Sequence, residues 1–263
     1  MTLFIIFGLI FGSFANAYIY RWPRQLPWVD DRSICPQCKH QLAWYDNIPI
    51  ISYLLLKGSC RYCHNHIPLT YPAIELGLAL IWSTIAIFAL HQVNFTGIGP
   101  LSLYLPLLLS TIAVLIIAFA SLIIIRIDLQ YLLIPDHMTI LIAASSFLII
   151  LAQPHTLLPR ILASLSIALF FISIYLLTQG RGMGMGDIKL APVLGLLLGW
   201  YGWLAVLLSF WVGALIGVTL ILSHQATRKT AIPFGPYLIV GFWITLIYGQ
   251  QIINWYNSLS PVL

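Results

Sequence analysis

Charge is what this chain has least of. Only 7% of its 263 residues are charged and 60% are hydrophobic, against about 25% charged in an ordinary soluble domain. So little charge cannot cover a globular surface, which excludes a water-soluble fold. Acids are scarcest, with seven Asp and Glu against twelve Lys and Arg. Cysteine is limited to four residues, all within 21–70. Several signatures are missing altogether. There is no H-E-x-x-H pair for a catalytic zinc and no Walker lysine with its serine or threonine. No soluble Rossmann pattern is present, and the scattered histidines give no Ser-His-Asp candidate. No internal repeat is evident.

What is present is a series of apolar runs. A membrane-crossing helix needs about 20 mostly apolar residues. Eight segments are candidates: 2–20, 71–90, 101–125, 138–153, 159–178, 188–200, 202–223 and 234–253. The fourth and sixth are short, and cross only if flanking turns extend them or the bilayer thins. The expected fold is therefore an all-α polytopic membrane protein of about eight transmembrane helices. Glycine and alanine at Gly195, Gly199, Gly213, Ala214 and Gly217 would let the later helices approach closely.

The net charge of +5 follows this topology, so nucleic acid is not the expected partner. Loops 21–70, 126–137, 179–189 and 224–233 hold eleven of the twelve basic residues, Arg160 being the exception. The positive-inside rule makes those loops cytosolic and places both termini outside. All seven acids fall on the same half, counting Glu75 near the start of the second helix. Ala15-Asn16-Ala17 has the small residues of a leader cleavage site. But no basic residue precedes the apolar run, and Arg21 and Arg24 follow it, so the segment reads as an anchor. Three regions result: a first helix at 1–20, a polar cytosolic insertion at 21–70 and a helix bundle at 71–263.

The insertion carries Cys35-Pro-Gln-Cys38 and Cys60-Arg-Tyr-Cys63, with 21 residues between the pairs. Two C-x-x-C turns offer four thiolates, enough to close a tetrahedral structural zinc site. The spacer is slightly longer than usual. A redox C-x-x-C is the alternative, and His40, His64 or His66 could replace a thiol. A closed site leaves no position for water or substrate, and a small polar module gains folding energy from metal.

Two acids stand out. A carboxylate beside a bilayer is costly, so Asp128 and Asp187 read as functional, each the natural partner of the other. Asp187 follows Gly180-Arg-Gly-Met-Gly184-Met-Gly186 and opens a short helix. Glycines there would let a backbone approach closely. Local alternatives stand beside this reading: Asp128 with Arg126, Asp187 with Lys189, and Asp136 as a helix-start residue or the acid that faces Asp187. Two adjacent carboxyls share one proton, giving a base for water and an acid for a scissile carbonyl.

In order, the motifs are Phe11-Gly-Ser-Phe-Ala-Asn16-Ala-Tyr-Ile-Tyr-Arg21-Trp-Pro23, the cysteine pairs, Trp44-Tyr-Asp-Asn47-Ile-Pro49-Ile-Ile-Ser-Tyr53 and Tyr71-Pro-Ala-Ile-Glu75. Ile127-Asp128, Ile134-Pro-Asp136, Gly184-Met-Gly186-Asp187-Ile-Lys189-Leu and Pro233-Phe-Gly-Pro236 complete the set. Together these make the chain resemble the type IV prepilin leader peptidases, membrane aspartic peptidases of the G-x-G-D type. The resemblance implies Asp128 and Asp187 as the catalytic pair, with Asp136, Gly184, Gly186 and Lys189 in support. It implies a bacterial inner-membrane enzyme acting on type IV prepilins or type II secretion pseudopilins. Such enzymes cut at the cytosolic face, after a glycine ending a short basic leader. The new N-terminus, usually Phe, is then methylated with S-adenosylmethionine, and the cysteine module belongs to the part associated with that step. Asn16, Arg21 and Glu75 are the residues assigned to it here. Rival readings are a transporter using the aspartates as a proton relay, a non-enzymatic zinc-bearing secretion assembly factor, and another G-x-G-D intramembrane protease.

Overall fold

A computed structural model describes residues 1–28, 32–96, 101–225, 227 and 230–259, without side-chain detail at 93–96 and 101–103. Among the described residues the chain is helical, with two isolated β-bridges and no strand. Helices cover all eight predicted segments: α1 (Thr2–Arg21), α3 (Thr70–Thr96), α4 (Leu101–Tyr131), α5 (Asp136–Ala152), α6 (Leu157–Leu177), α7 (Met185–Leu198), α8 (Tyr201–Leu222) and α9 (Gly235–Leu259). One short helix, α2 (Ile51–Leu55), lies in the insertion. Six of the nine are long and apolar enough to cross a membrane. Of the predicted eight, α5 and α7 fall short, with 17 and 14 residues. Arg228 and Lys229, used in the charge map, lie outside the described residues, as do Asp30 and Asp31.

The departure from the sequence reading that bears on Asp128 is at α4. The expected helix ends at Ile125, but the observed one continues to Tyr131 and carries Asp128 on its last turns. No Gly or Pro interrupts 126–131, so the helix runs on. Leu132 breaks it by adopting a left-handed φ of 55°, while its N–H still donates to the Asp128 carbonyl at 2.9 Å. At α7 the helix starts at Met185, so Asp187 is inside the first turn rather than ahead of it.

The chain forms two compact units, Met1–Ile123 and Ile124–Leu263, whose boundary falls within α4. In the first unit α1 packs on α3 through Gly8 and Gly12. A Cβ there would lie 2.5 Å from Ala79 Cα and 2.6 Å from Glu75 Cα respectively. This is the small-x-x-x-small contact that substitutes for hydrophobic driving force in lipid. Phe11 adds ring contacts to Trp82 and Phe119, at 5.1 and 5.6 Å.

In the second unit α7 is the central element. It packs on α6, where Gly195 lies against the Ser164 backbone, and on α8, where Gly202 meets Gly195. Gly241 gives α9 the same closeness to Ala205 and Ser209 of α8. Two other predicted packing glycines serve differently: Gly199 ends α7 with φ 61°, and Gly217 has only an ordinary contact with Ile232. Arg160 caps the far end of α7 through the Leu196 and Leu197 carbonyls.

Candidate functional site

Both central aspartates belong to the second unit, and both are buried, at 4% and 8% exposure. Asp128 Oδ2 accepts the Gly235 N–H at 3.0 Å. Gly235 is the first residue of α9, so a helix N-terminus, with free N–H groups and a positive dipole end, meets the carboxylate. Only glycine fits: a Cβ on Gly235 would stand 2.7 Å from Asp128 Oδ2.

Asp187 is the third residue of α7, and its Oδ2 lies close to the N-cap Gly184, 3.3 Å from where a Cβ would stand. Asp187 Oδ1 is buried with no hydrogen-bond partner. The Asp128 charge acts on Asp187, so the carboxyls are electrostatic neighbours. Ile134 joins the two settings. It lies against Gly186, where a Cβ would come within 2.8 Å of it, and against Gly235, where the figure is 2.9 Å.

The local alternatives resolve differently. Lys189 pairs with Asp136, at 2.8 and 2.9 Å, rather than with Asp187. That pair is open to solvent, with side chains 53% and 59% exposed. Asp136, the first residue of α5, is thus held by Lys189 in solvent. Arg126 does not pair with Asp128; its Nε is buried without a partner. The glycines of the run differ among themselves. Within it only Gly180 takes a left-handed φ, 75°. Gly184 and Gly186 matter for close approach, to Asp187 and Ile134. Sequence reading missed Gly235 and Ile134 as site residues. A glycine between two prolines at a helix start was the available signal for the first; Ile134 offers none.

The first unit brings the four cysteines together. Their sulfurs all lie within 4.8 Å of one another, and Cys35 and Cys63 Sγ are 3.9 Å apart. Four thiolates about 2.3 Å from a tetrahedral zinc would stand about 3.8 Å apart. The two knuckles share one construction. Cys35 N–H donates to His40 O and Lys39 N–H to Cys35 O; Cys60 N–H donates to Asn65 O and His64 N–H to Cys60 O. Lys39 and His64, which follow the second cysteine of each pair, both take left-handed φ, 60° and 57°. Each knuckle is closed by a bridge, Ile34 with Gln41 and Ser59 with His66.

No disulfide forms among the described residues, and no histidine joins the cluster. His40 lies against Tyr62, ring centroids 3.7 Å apart and tilted by 33°, and His66 Nδ1 contacts Gly58 O at 2.9 Å. The Asn65 N–H favours the Cys63 thiolate. Against it, desolvation and the Cys60, Cys38 and Cys35 neighbours push the Cys63 thiol up to about 11. Thiols this crowded ionise together only around a cation, so the donor set fits a metal ion.

Beside the cluster is a cavity of about 420 Å³ lined by α1, α3 and the insertion. Asn16, Arg21 and Glu75 all line it. Asn16 Nδ2 donates to Tyr71 O at 3.0 Å. Arg21 donates to the Pro27 and Arg32 carbonyls, at 3.3 and 2.7 Å. Glu75 Oε2 accepts the Ile50 N–H at 2.8 Å. Near the mouth, burial alone would raise the Asp46 carboxyl, but hydrogen bonds from Arg61, Ala43 and Tyr62 hold it below its ordinary range.

The family model described as the bacterial peptidase A24 N-terminal domain matches residues 6–89. That of the type IV leader peptidase family matches residues 114–222. Among similar proteins, one of Aeromonas salmonicida is 33% identical over 98% of this chain and 94% of its own length. One of Pseudomonas aeruginosa is 31% identical over 97% and 93%, and one of Bacillus subtilis 33% identical over 99% of both. All three are named prepilin leader peptidase/N-methyltransferase. No solved structure gives a significant match. Similarity at this level, end to end, means that the chain belongs to the type IV leader peptidase family.

Proposed function

We propose that this protein cuts the leader from type IV prepilins or type II secretion pseudopilins, with Asp128 and Asp187 as the catalytic pair. The observation that carries this is the pair of buried carboxyls in one compact unit, with Ile134 packed against the glycine beside each and neither acid in an ion pair among the described residues. Like charges so placed resist double ionisation, so the pair holds one proton. The carboxylate takes a proton from a water, which attacks the scissile carbonyl. The carboxylic acid protonates the carbonyl oxygen. As the tetrahedral species collapses, the carboxyl that took the water's proton gives it to the departing amine, and the other carboxylate takes a proton from a hydroxyl, so the pair again holds one proton. The unpartnered Asp187 Oδ1 supplies a vacant acceptor for that water. Asp136 and Lys189 support the site by tying α5 to α7; Gly184 and Gly186 support it by close approach. The titration belongs to the pair, not to either residue.

The second activity belongs to the first unit. The cysteines hold a structural zinc, four ligands leaving no open position. The cavity has the size of a small-molecule site, and Asn16, Arg21 and Glu75 line it. S-adenosylmethionine bound there would supply an electrophilic methyl group for the new N-terminus. Residues 21–70 form the cytosolic module tied to methyl transfer, and 71–263 carry the peptidase site. The protein sits in the bacterial inner membrane with both termini outside and the aspartates at the cytosolic face, α5 and α7 spanning with α1, α3, α4, α6, α8 and α9. The relatives' shared name supports both activities.

The test is to incubate purified protein in detergent with a prepilin, with and without S-adenosylmethionine, and weigh the products. Loss of the leader, plus one methyl group when the donor is present, is expected. An intact prepilin would contradict the reading.

A further inference from the structure

Three of the described carboxyls are buried with no cation bridging them: Asp128, Asp187 and Glu75. The first two belong to the proposed peptidase pair. Glu75 stands in the other unit, on the wall of the cavity. The remaining charged groups of that wall are engaged. Arg21 holds the Pro27 and Arg32 carbonyls, Asp46 and Arg61 hold each other, and His66 is held by Gly58 O.

Among the described residues the hydrogen bond that Glu75 accepts comes from a neutral donor, the Ile50 N–H, and the Ser13 and Asn16 side chains beside it are neutral too. That bond holds the carboxylate in place and leaves its charge unbalanced. Ile50 itself adopts a φ of 63°, a conformation that a β-branched residue takes only under constraint from its surroundings. A buried carboxylate without a cation is costly. A cavity built around one suits a cationic ligand group.

Position selects the cation. Glu75 is the sixth residue of α3 and packs on Gly12 of α1, two helices apolar enough to cross a membrane. Cys35 and Cys60, within the polar insertion, also line the cavity. An apolar helix with a free amine at its first residue, lying along α1 and α3, brings that amine to Glu75. We propose that Glu75 binds the α-ammonium of the cleaved pilin and takes its proton, making the nitrogen a nucleophile. This rests on the methyltransferase reading above. The proton passes to the Glu75 carboxylate, and the nitrogen lone pair forms the new N–C bond. The methyl–sulfur bond breaks with its electron pair on sulfur, and the positive charge moves from sulfur to nitrogen.

The probes are a leaderless pilin peptide beginning with Phe and the same peptide lacking its amine. Wild-type protein in detergent should bind the amine form about tenfold more tightly, a typical charge-assisted gain, and Glu75→Gln should lose that preference. Methylation by Glu75→Gln at pH 7 should fall about 100-fold, the usual worth of a general base. It should recover about sevenfold at pH 9, where an α-amine of pKa about 7.7–8.0 is already neutral. Equilibrium dialysis of S-adenosylmethionine reads the donor separately, and its binding should fall by less than the amine preference, because the amine is what Glu75 holds. Glu75→Asp should keep the amine preference, and leader cleavage by each preparation reports folding. Equal binding of the two peptides by wild type would overturn the proposal. So would wild-type methylation by Glu75→Gln, or loss of donor binding with the amine preference retained. A wild-type protein that binds no donor and methylates nothing removes the underlying reading instead, and the peptide comparison still judges Glu75.

Discussion

Substituting Gly235 by alanine should disable leader cleavage without removing a carboxyl. The Gly235 N–H holds Asp128 Oδ2 at 3.0 Å. An added Cβ would lie 2.7 Å from that oxygen, where ordinary contact begins near 3.4 Å. The backbone here is not left-handed, so alanine meets no conformational penalty and its effect is steric. The carboxyl or the start of α9 must move by about 0.7 Å. Misplacing a reacting group by about 1 Å costs on the order of 100-fold in rate. We expect kcat for prepilin cleavage to fall about 100-fold, with KM changed less, in a time course followed by product mass. Gly217→Ala is the control, since its new Cβ meets only Ile232 at 3.6 Å. The double variant Ile134→Ala/Gly235→Ala separates two contacts. It relieves Ile134, 2.9 Å from the new Cβ, and leaves the Asp128 clash. Activity restored in the double variant would refute the claim that the carboxylate is what the methyl group displaces.

Asp136→Asn should leave cleavage within about threefold, because an exposed ion pair with Lys189 contributes about 0–1 kcal/mol; a dead variant would move the catalytic role to Asp136. Cys63→Ser should cut bound zinc, measured by elemental analysis of the purified protein, to well below one equivalent; full zinc would show that the four sulfurs are not the ligand set. Gly12→Val should weaken the α1–α3 contact, since even one methyl group would stand 2.6 Å from Glu75 Cα. It should lower the melting temperature and suppress methylation together, and an unchanged melting temperature would deny the close crossing.

Much of the helical plan is legible in composition, because lipid leaves the backbone few alternatives and each apolar run must satisfy its own hydrogen bonds. Helix ends are less legible. Arg126-Ile-Asp128-Leu-Gln-Tyr131 holds no Gly or Pro to stop the helix, yet the residue that ends it, Leu132, has no turn propensity either. The cysteine knuckles are legible because ligand spacing is local. The partners of Asp128 and Asp187 are not, because Gly235 lies 107 residues from Asp128 and acts through a backbone N–H that any residue possesses. Gly8-x-x-x-Gly12 was a readable signal for the α1–α3 crossing. Ile50 was not readable: nothing in a β-branched residue announces a φ of 63°, which accompanies the tight Ile51 N–H bond to Pro49 O and the Ile50 N–H bond to Glu75.

The central claim, that Asp128 and Asp187 work as one unit, is tested most directly by comparing Asp128→Asn, Asp187→Asn and the double variant in prepilin cleavage. Groups that share a single chemical step are strongly non-additive. Each single substitution should abolish detectable cleavage, the double should lose no more than either single, and bound zinc should remain. Appreciable cleavage by either single variant, or losses that multiply in the double, would contradict the account.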